Sequence, residues 1–154
     1  MRFTHYATLV ALVLPVPAAA FDASGTGTGT SMNEAIPIHD GLVVVKVSSI
    51  YDGFDTDIAD NALATAKGPC FGTMIINNGA VSGSGACNYT DADGDAIIMR
   101  WTPTGFNDEG RTIGTWELIG GTGKWMDASG GGSFNAGGDG DEYTNMVTGE
   151  VSMN

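Results

Sequence analysis

The segment CFGTMIINNGAVSGSGAC, residues 70–87, begins and ends on the chain's two cysteines and carries Asn78-Gly79 at its centre. Asn-Gly favours a two-residue type I′ hairpin, because both central residues must take positive φ. In that register the numbers of facing residues sum to 157, so Cys70 faces Cys87. Asn77 and Ala80 close the turn as a hydrogen-bonded pair, and alternation outward makes Cys70–Cys87 a non-hydrogen-bonded pair with Cα atoms about 4.5 Å apart. That spacing lies at the short end of the disulfide range. A Cys70–Cys87 bond is therefore expected, and closing a loop of this size contributes about 3 kcal/mol in the chain-entropy model.

The chain runs on as NYTDADGDAIIMRW (88–101), with Asp93-Gly94 as a second two-residue turn signal. Facing residues would then sum to 187, which matches Thr90 with Ile97, Asn88 with Met99 and Ala86 with Trp101. Strands 70–77, 80–91 and 96–103 form a meander in this reading. One face carries Phe71, Ile75, Ile97, Met99 and Trp101, and the other Cys70, Cys87, Met74, Val81, Tyr89, Ile98 and Arg100. Neither face is purely polar, which suits a small barrel whose outer wall is partly covered.

Asp91, Asp93 and Asp95 thus fall on a hairpin tip. An EF-hand loop needs ligands at positions 1, 3 and 5, glycine at 6 and a bidentate glutamate at 12. Here Ala96 stands at position 6 and Thr102 at position 12, and strands replace the flanking helices. The EF-hand pattern is not met, and the segment reads as an acidic turn. A weaker calcium site on Asp91, Asp93 and Asp95 stays open as an alternative, since clustered carboxylates suit hard cations.

The first twenty residues read as an export leader, with Arg2, the apolar run ATLVALVL (7–14) and small residues Ala18 and Ala20 before a cleavage point ahead of Phe21. The apolar run is too short to span a bilayer. The remaining stretch, 21–154, is enough for one domain with one core. A secreted or periplasmic location is expected, where disulfides persist. Without Arg2 the chain carries 5 basic and 18 acidic residues, a net charge of −13. Such a surface repels phosphate backbones and anionic lipid, so nucleic acid and membrane surfaces are not expected partners. Thirteen of the acidic residues are Asp, which suits turns better than helices. The 24 glycines lack a Gly-X-Y period and fall between or within apolar runs, as tight turns and closely packed strands require.

Further strands are expected at 24–33, 41–51, 111–119, 123–128, 132–136 and 142–153, for about eight in all. DIADNALATAKGP (57–69) is the one helical candidate, capped by Asp57 and stopped at Gly68-Pro69. The fold class is all-β: a single antiparallel barrel of about eight strands with one short helix.

Other motifs carry less. GGTGKW (120–125) lacks the first glycine and the Ser or Thr of a phosphate loop, and GGDGDEY (137–143) is one imperfect copy of a calcium repeat that needs several. His39 lies in a turn without a nucleophile motif. Trp125, Trp101 and Trp116 read first as core. Trp101 and Trp116, with Met99, Phe71 and the charged neighbours Arg100 and Glu117, are the candidates to line a cavity.

The segment GTWELIGGTGKWMDASGGGSF (114–134) resembles the strand, turn and glycine-rich strand of the allene oxide cyclase and dirigent-protein superfamily. The run from Cys70 through DADGD to this segment resembles small exported bacterial proteins with an allene-oxide-cyclase-like barrel. The resemblance implies an eight-stranded antiparallel barrel with a ligand-sized interior. No set of positions matches the plant enzymes' catalytic residues one by one. Three functions follow as expectations. The first is an exported module binding a small, largely apolar molecule, which a barrel without a cavity above about 300 Å³ would count against. The second is an isomerase or cyclase, which requires an inward ionisable group such as Arg100 or Glu117. The third is a calcium-stabilised structural protein.

Overall fold

A computed structural model describes residues 19–59, 61–138 and 142–153. Apart from Ala19 and Ala20, the leader segment lies outside these residues. Among the described residues ten strands are present: β1 (Ala19–Asp22), β2 (Gly25–Ser31), β3 (Glu34–His39), β4 (Leu42–Asp55), β5 (Gly68–Asn77), β6 (Ala80–Thr90), β7 (Ala96–Phe106), β8 (Thr112–Gly121), β9 (Ser129–Gly137) and β10 (Tyr143–Met153). The order β10-β2-β4-β5-β6-β7-β8-β9 closes on itself through a β9–β10 pairing, giving an antiparallel barrel of eight strands. β1 continues the line of β2 along β10, and β3 lies outside the ring on β4.

The first hairpin has the expected register. Asn77 faces Ala80, Cys70 faces Cys87, and Asn78 and Gly79 both have positive φ, at 48° and 86°. The disulfide is formed, with Cα atoms 4.0 Å apart.

The second hairpin is offset by one residue from the expectation. Thr90 faces Ala96, Asn88 faces Ile98 and Cys87 faces Met99, so facing numbers sum to 186. The Gly94 N–H donates to the Asp91 carbonyl at 3.1 Å and only Gly94 takes positive φ within the turn, at 87°. The loop is thus a three-residue turn with a left-handed glycine, rather than a two-residue type I′ turn. A side chain from Asp91 explains the choice: its Oδ1 accepts the backbone N–H groups of Asp93 and Asp95 at 2.9 and 3.0 Å. Such an Asx-type arrangement competes with the tighter turn.

A one-residue offset exchanges the faces of a strand. Ile97, Met99 and Trp101 therefore share the inner face with Cys70, Met74, Cys87 and Tyr89, and Phe71 and Ile75 point outward. The expected grouping of Phe71 and Ile75 with Ile97, Met99 and Trp101 is corrected accordingly.

The helix expected at 57–69 is absent. Among the described residues the segment forms turns and then joins β5 at Gly68. A stretch this short gains too little from propagation to offset helix nucleation. Other bonds hold it: Asn61 Nδ2 donates to the Ser24 carbonyl at 3.1 Å, and Asn61 Oδ1 accepts the Leu63 N–H at 3.0 Å. The one helical turn among the described residues is instead a 3-10 turn at Gly123–Trp125, where a strand was expected.

The barrel has two different ends. Following strand direction, the acidic turn 91–95, the 3-10 turn and the 56–67 segment gather at the lower end. There Trp125, Leu63 and Ala66 are buried and the Phe21 ring meets Trp125 edge-on at 6.4 Å between ring centres. The lower end is closed by this apolar plug. The turns after Asp40, Asn78 and Phe106 gather at the upper end with the end of β9 and the start of β10, and there Asn78 N–H donates to the Gly41 carbonyl at 2.7 Å.

Candidate functional site

The plug closes one end, and the space above it is the candidate site. The interior holds a cavity of about 250 Å³. Its floor includes Leu63, its wall carries the Cys70–Cys87 disulfide, Met74, Met99, Trp101, Trp116 and Phe134, and its upper part is ringed by Ser31, Asn33, Thr112, Tyr143 and Asn145.

Period-two alternation builds this lining. β2 presents Gly27, Gly29 and Ser31 inward, and β10 presents Tyr143, Asn145 and Val147. Small and large residues alternate across facing strands, as the taper of a small barrel requires. The Trp101 indole lies over Gly72 and Gly85 so closely that a Cβ at either position would overlap the ring. Glycine is required at both by close approach, and this accounts for part of the glycine excess.

Four aromatic rings form one cluster along the cavity. Tyr51 stacks on Phe54 at 5.7 Å between ring centres and meets Tyr89 and Tyr143 edge-on at 5.6 and 5.7 Å. Asn145 Nδ2 donates to the Tyr51 hydroxyl oxygen at 3.1 Å. The Tyr89 hydroxyl lies 3.0 Å from Cys70 Sγ. A disulfide sulfur has no hydrogen, so Tyr89 donates. Burial pushes all three phenols above the ordinary tyrosine value, and at neutral pH each keeps its proton.

Two polar atoms in the lining are left over. Ser31 Oγ and Asn145 Oδ1 are out of solvent contact and have no hydrogen-bond partner among the described residues. A buried polar atom without a partner costs about 1–3 kcal/mol, so a pair of them in one cavity calls for an explanation.

The candidates from sequence separate into two groups. Met99, Trp101 and Trp116 line the cavity. The Trp116 indole N–H is satisfied by the Thr148 carbonyl at 3.1 Å, so it contributes its ring face rather than a free donor. Phe71 is 56% exposed on the outer wall and takes no part. Arg100 borders the cavity through its place in the wall, but its guanidinium reaches Glu117 at 3.2 Å on the outside, with the two side chains 58% and 61% exposed. Their strands pair Trp101 with Trp116 inward and Arg100 with Glu117 outward. The inward charge that an isomerase was expected to use is therefore not supplied by Arg100 or Glu117. Among the described lining residues no Asp, Glu, Lys or His is present.

Ser31, Tyr51, Tyr89, Tyr143 and Asn145 were missed by sequence reading as site residues. The alternation in YTNMV (143–147) holds the signal for two of them, since Tyr143 and Asn145 share the face of Val147.

The acidic turn belongs to the plug. Asp91 Oδ2 accepts the Trp125 Nε1–H at 2.9 Å and pairs with Lys124 Nζ at 2.8 Å, while Asp93 Oδ2 pairs with the same Lys124 at 2.6 Å. Thr122 N–H donates to the Ala96 carbonyl at 2.9 Å and the Thr122 hydroxyl accepts the Ala96 N–H at 2.9 Å. The motifs DADGD and GGTGKW, separate in the sequence, are thus each other's partners. Burial raises the Asp91 carboxyl, but bonds from Lys124, Trp125 and the Asp95 and Asp93 amides outweigh it and hold it at about 2. Asp91 and Asp93 in turn raise Lys124. A calcium ion at Asp91 and Asp93 would have to displace the Lys124 ammonium. Among the described residues no group of three or more His, Cys, Asp or Glu is arranged to hold a metal.

Comparison with known proteins places the fold. The pterocarpan synthase dirigent protein GePTS1 has a similar structure, with a TM-score of 0.55 over 97% of this chain and 98% of that chain. The two are 13% identical, a likeness of fold alone. No family model matches the sequence, and no curated protein matches it. The chain is a dirigent-like antiparallel barrel with a disulfide in its wall. No helix among the described residues is long and apolar enough to cross a membrane.

Proposed function

We propose that the protein binds an uncharged molecule of one or two rings inside the barrel and meets its polar group with Ser31 and Asn145. The observation that carries this reading is the pairing of two partnerless polar atoms with an aromatic and sulfur-lined cavity. The size limits the occupant. About 250 Å³ is below the 300 Å³ named above, which counts against a ligand of ordinary drug size and leaves room only for a smaller molecule. An apolar protein cavity of about 150 Å³ already admits benzene. The lining disfavours an anion: the tyrosines are protonated, no Lys or His lines the cavity among the described residues, and the Arg100 guanidinium is engaged with Glu117 on the outside. Asn145 Oδ1 is an acceptor, so the ligand carries a donor. The leader pattern and the disulfide support an exported protein, and the acidic surface argues against nucleic acid and anionic membranes as partners.

The test is a tryptophan-fluorescence titration with benzyl alcohol, sensitive through Trp101 and Trp116. Ser31→Ala and Asn145→Leu should each weaken binding about tenfold, the worth of one hydrogen bond, while Phe71→Ala leaves it unchanged. Equal affinity for all variants would refute the site.

A second reading, an isomerase or cyclase within the cavity, is supported by the tyrosine cluster alone. Its proton donors would be Tyr51, Tyr89 and Tyr143, and the Tyr51→Phe variant would lose turnover while keeping ligand affinity.

A further inference from the structure

The Cys70–Cys87 bond does more than link two strands, because both cysteines face the cavity. Both residues are buried, at 5% and 7% exposure. The two sulfurs are not equivalent. The Tyr89 hydroxyl donates to Cys70 Sγ at 3.0 Å, while Cys87 Sγ has no such donor among the described hydrogen bonds. In thiol–disulfide exchange the better leaving sulfur is the one whose thiolate is more stabilised, and the attack falls on the other.

We propose that Cys70–Cys87 is a thiol-exchange site reached through the barrel cavity, and that its reactant is a small uncharged thiol. The incoming thiol gives up its proton and its sulfur attacks Cys87 Sγ. A new bond forms between the two, the Cys70–Cys87 bond breaks, and the electron pair stays on Cys70 Sγ. That thiolate receives the Tyr89 hydrogen bond and takes up the proton released by the incoming thiol, so no net charge is left in the barrel. The product is a mixed disulfide on Cys87. A second thiol can complete the exchange by attacking the mixed disulfide, which releases the oxidised small disulfide and leaves both cysteines reduced.

The cavity sets which thiols react. A thiol of two or three carbons fits within about 250 Å³. A tripeptide thiol with two carboxylates does not, and the net charge of −12 on the whole chain repels it further. The inference needs only that the cavity admits a small molecule, and it does not rest on the ligand reading above.

The experiment exposes the folded protein to 2-mercaptoethanol or reduced glutathione at equal thiolate concentration and follows the disulfide by intact mass and peptide mapping. The expected result is reduction at least tenfold faster with 2-mercaptoethanol, first order in thiol, with the adduct on Cys87. Tyr89→Phe keeps the ring that packs on Tyr51 and Phe54 and removes only the donor. It should react several-fold more slowly and lose the preference for Cys87. Equal rates with both thiols, a rate independent of thiol concentration, an adduct on Cys70, or a Tyr89→Phe variant indistinguishable from the parent would each overturn the proposal.

Discussion

Asp91 is a carboxylate with its side chain fully out of solvent, yet it is ionised at all but very low pH. Three hydrogen bonds and one ion pair outweigh the desolvation cost, the condition under which a buried charge is tolerated. The sign of its pH effect follows. Its folded value of about 2 lies below the ordinary 3.8, so its contribution is fully present above pH 3.8 and is lost as pH falls through about 2. The size is about 2 kcal/mol. Urea denaturation across pH 1.5–5 should show the stability gap between the parent and Asp91→Asn shrinking by that amount, and a constant gap would contradict the assignment. In the sequence Asp91 looked like one of three equivalent turn acids. What singles it out is contact with Trp125 and Lys124, residues far along the chain, and no local pattern encodes that.

At the scale of elements, the two hairpins show what was legible and what was not. Asn78-Gly79 needs only the two turn residues to fix its geometry, and the Cys70–Cys87 pairing follows from it. Asp93-Gly94 has the same local signature, but the Asp91 side chain captures two backbone N–H groups and adds a residue to the loop. That single residue turned Phe71 outward and aligned Met99 and Trp101 with the cysteines. Arg100 and Glu117 follow the same alternation to the outside, while Met99, Trp101 and Trp116 lie on the inner faces of β7 and β8. The helical stretch failed for a related reason: its alanines favour a helix, but a tertiary bond to Ser24 and a local one to Thr56 override that propensity and decide its path. The register is open to direct test. Asn88 and Ile98 face each other, and Thr90 spends its backbone groups on Lys67 rather than Ala96, which makes Asn88–Ile98 a non-hydrogen-bonded pair. Asn88→Cys with Ile98→Cys should crosslink on oxidation, whereas Asn88→Cys with Met99→Cys should not, as read by non-reducing mass mapping.

On the scale of the whole molecule, the barrel divides into an apolar plug pinned by the Asp91–Lys124 ion pair and a cavity lined without such a pair. The lower end gathers Asp91, Lys124 and Trp125, and the upper space gathers neutral phenols, sulfur and indole. The eight-stranded barrel was legible from strand count and turn spacing. The volume of the cavity was not, because it depends on how rings from distant strands lean over glycines such as Gly72 and Gly85. The neutral interior predicts an alkaline limit. Tyr51, Tyr89 and Tyr143 have folded values above the ordinary 10.0, so their contribution is complete below about pH 10 and is lost as pH rises toward those folded values. Phenolate absorbance from these three should therefore appear together with unfolding, above pH 10, rather than ahead of it.

The occupancy of that interior is measured most directly by soaking a crystal in 4-bromobenzyl alcohol and locating bromine by its anomalous signal. The account predicts one site between Trp101 and Trp116, with the alcohol oxygen within hydrogen-bond distance of Asn145 Oδ1 or Ser31 Oγ. Bromine only on the outer wall near Phe71 and Ile75, or none at a concentration that saturates the fluorescence change, would contradict it.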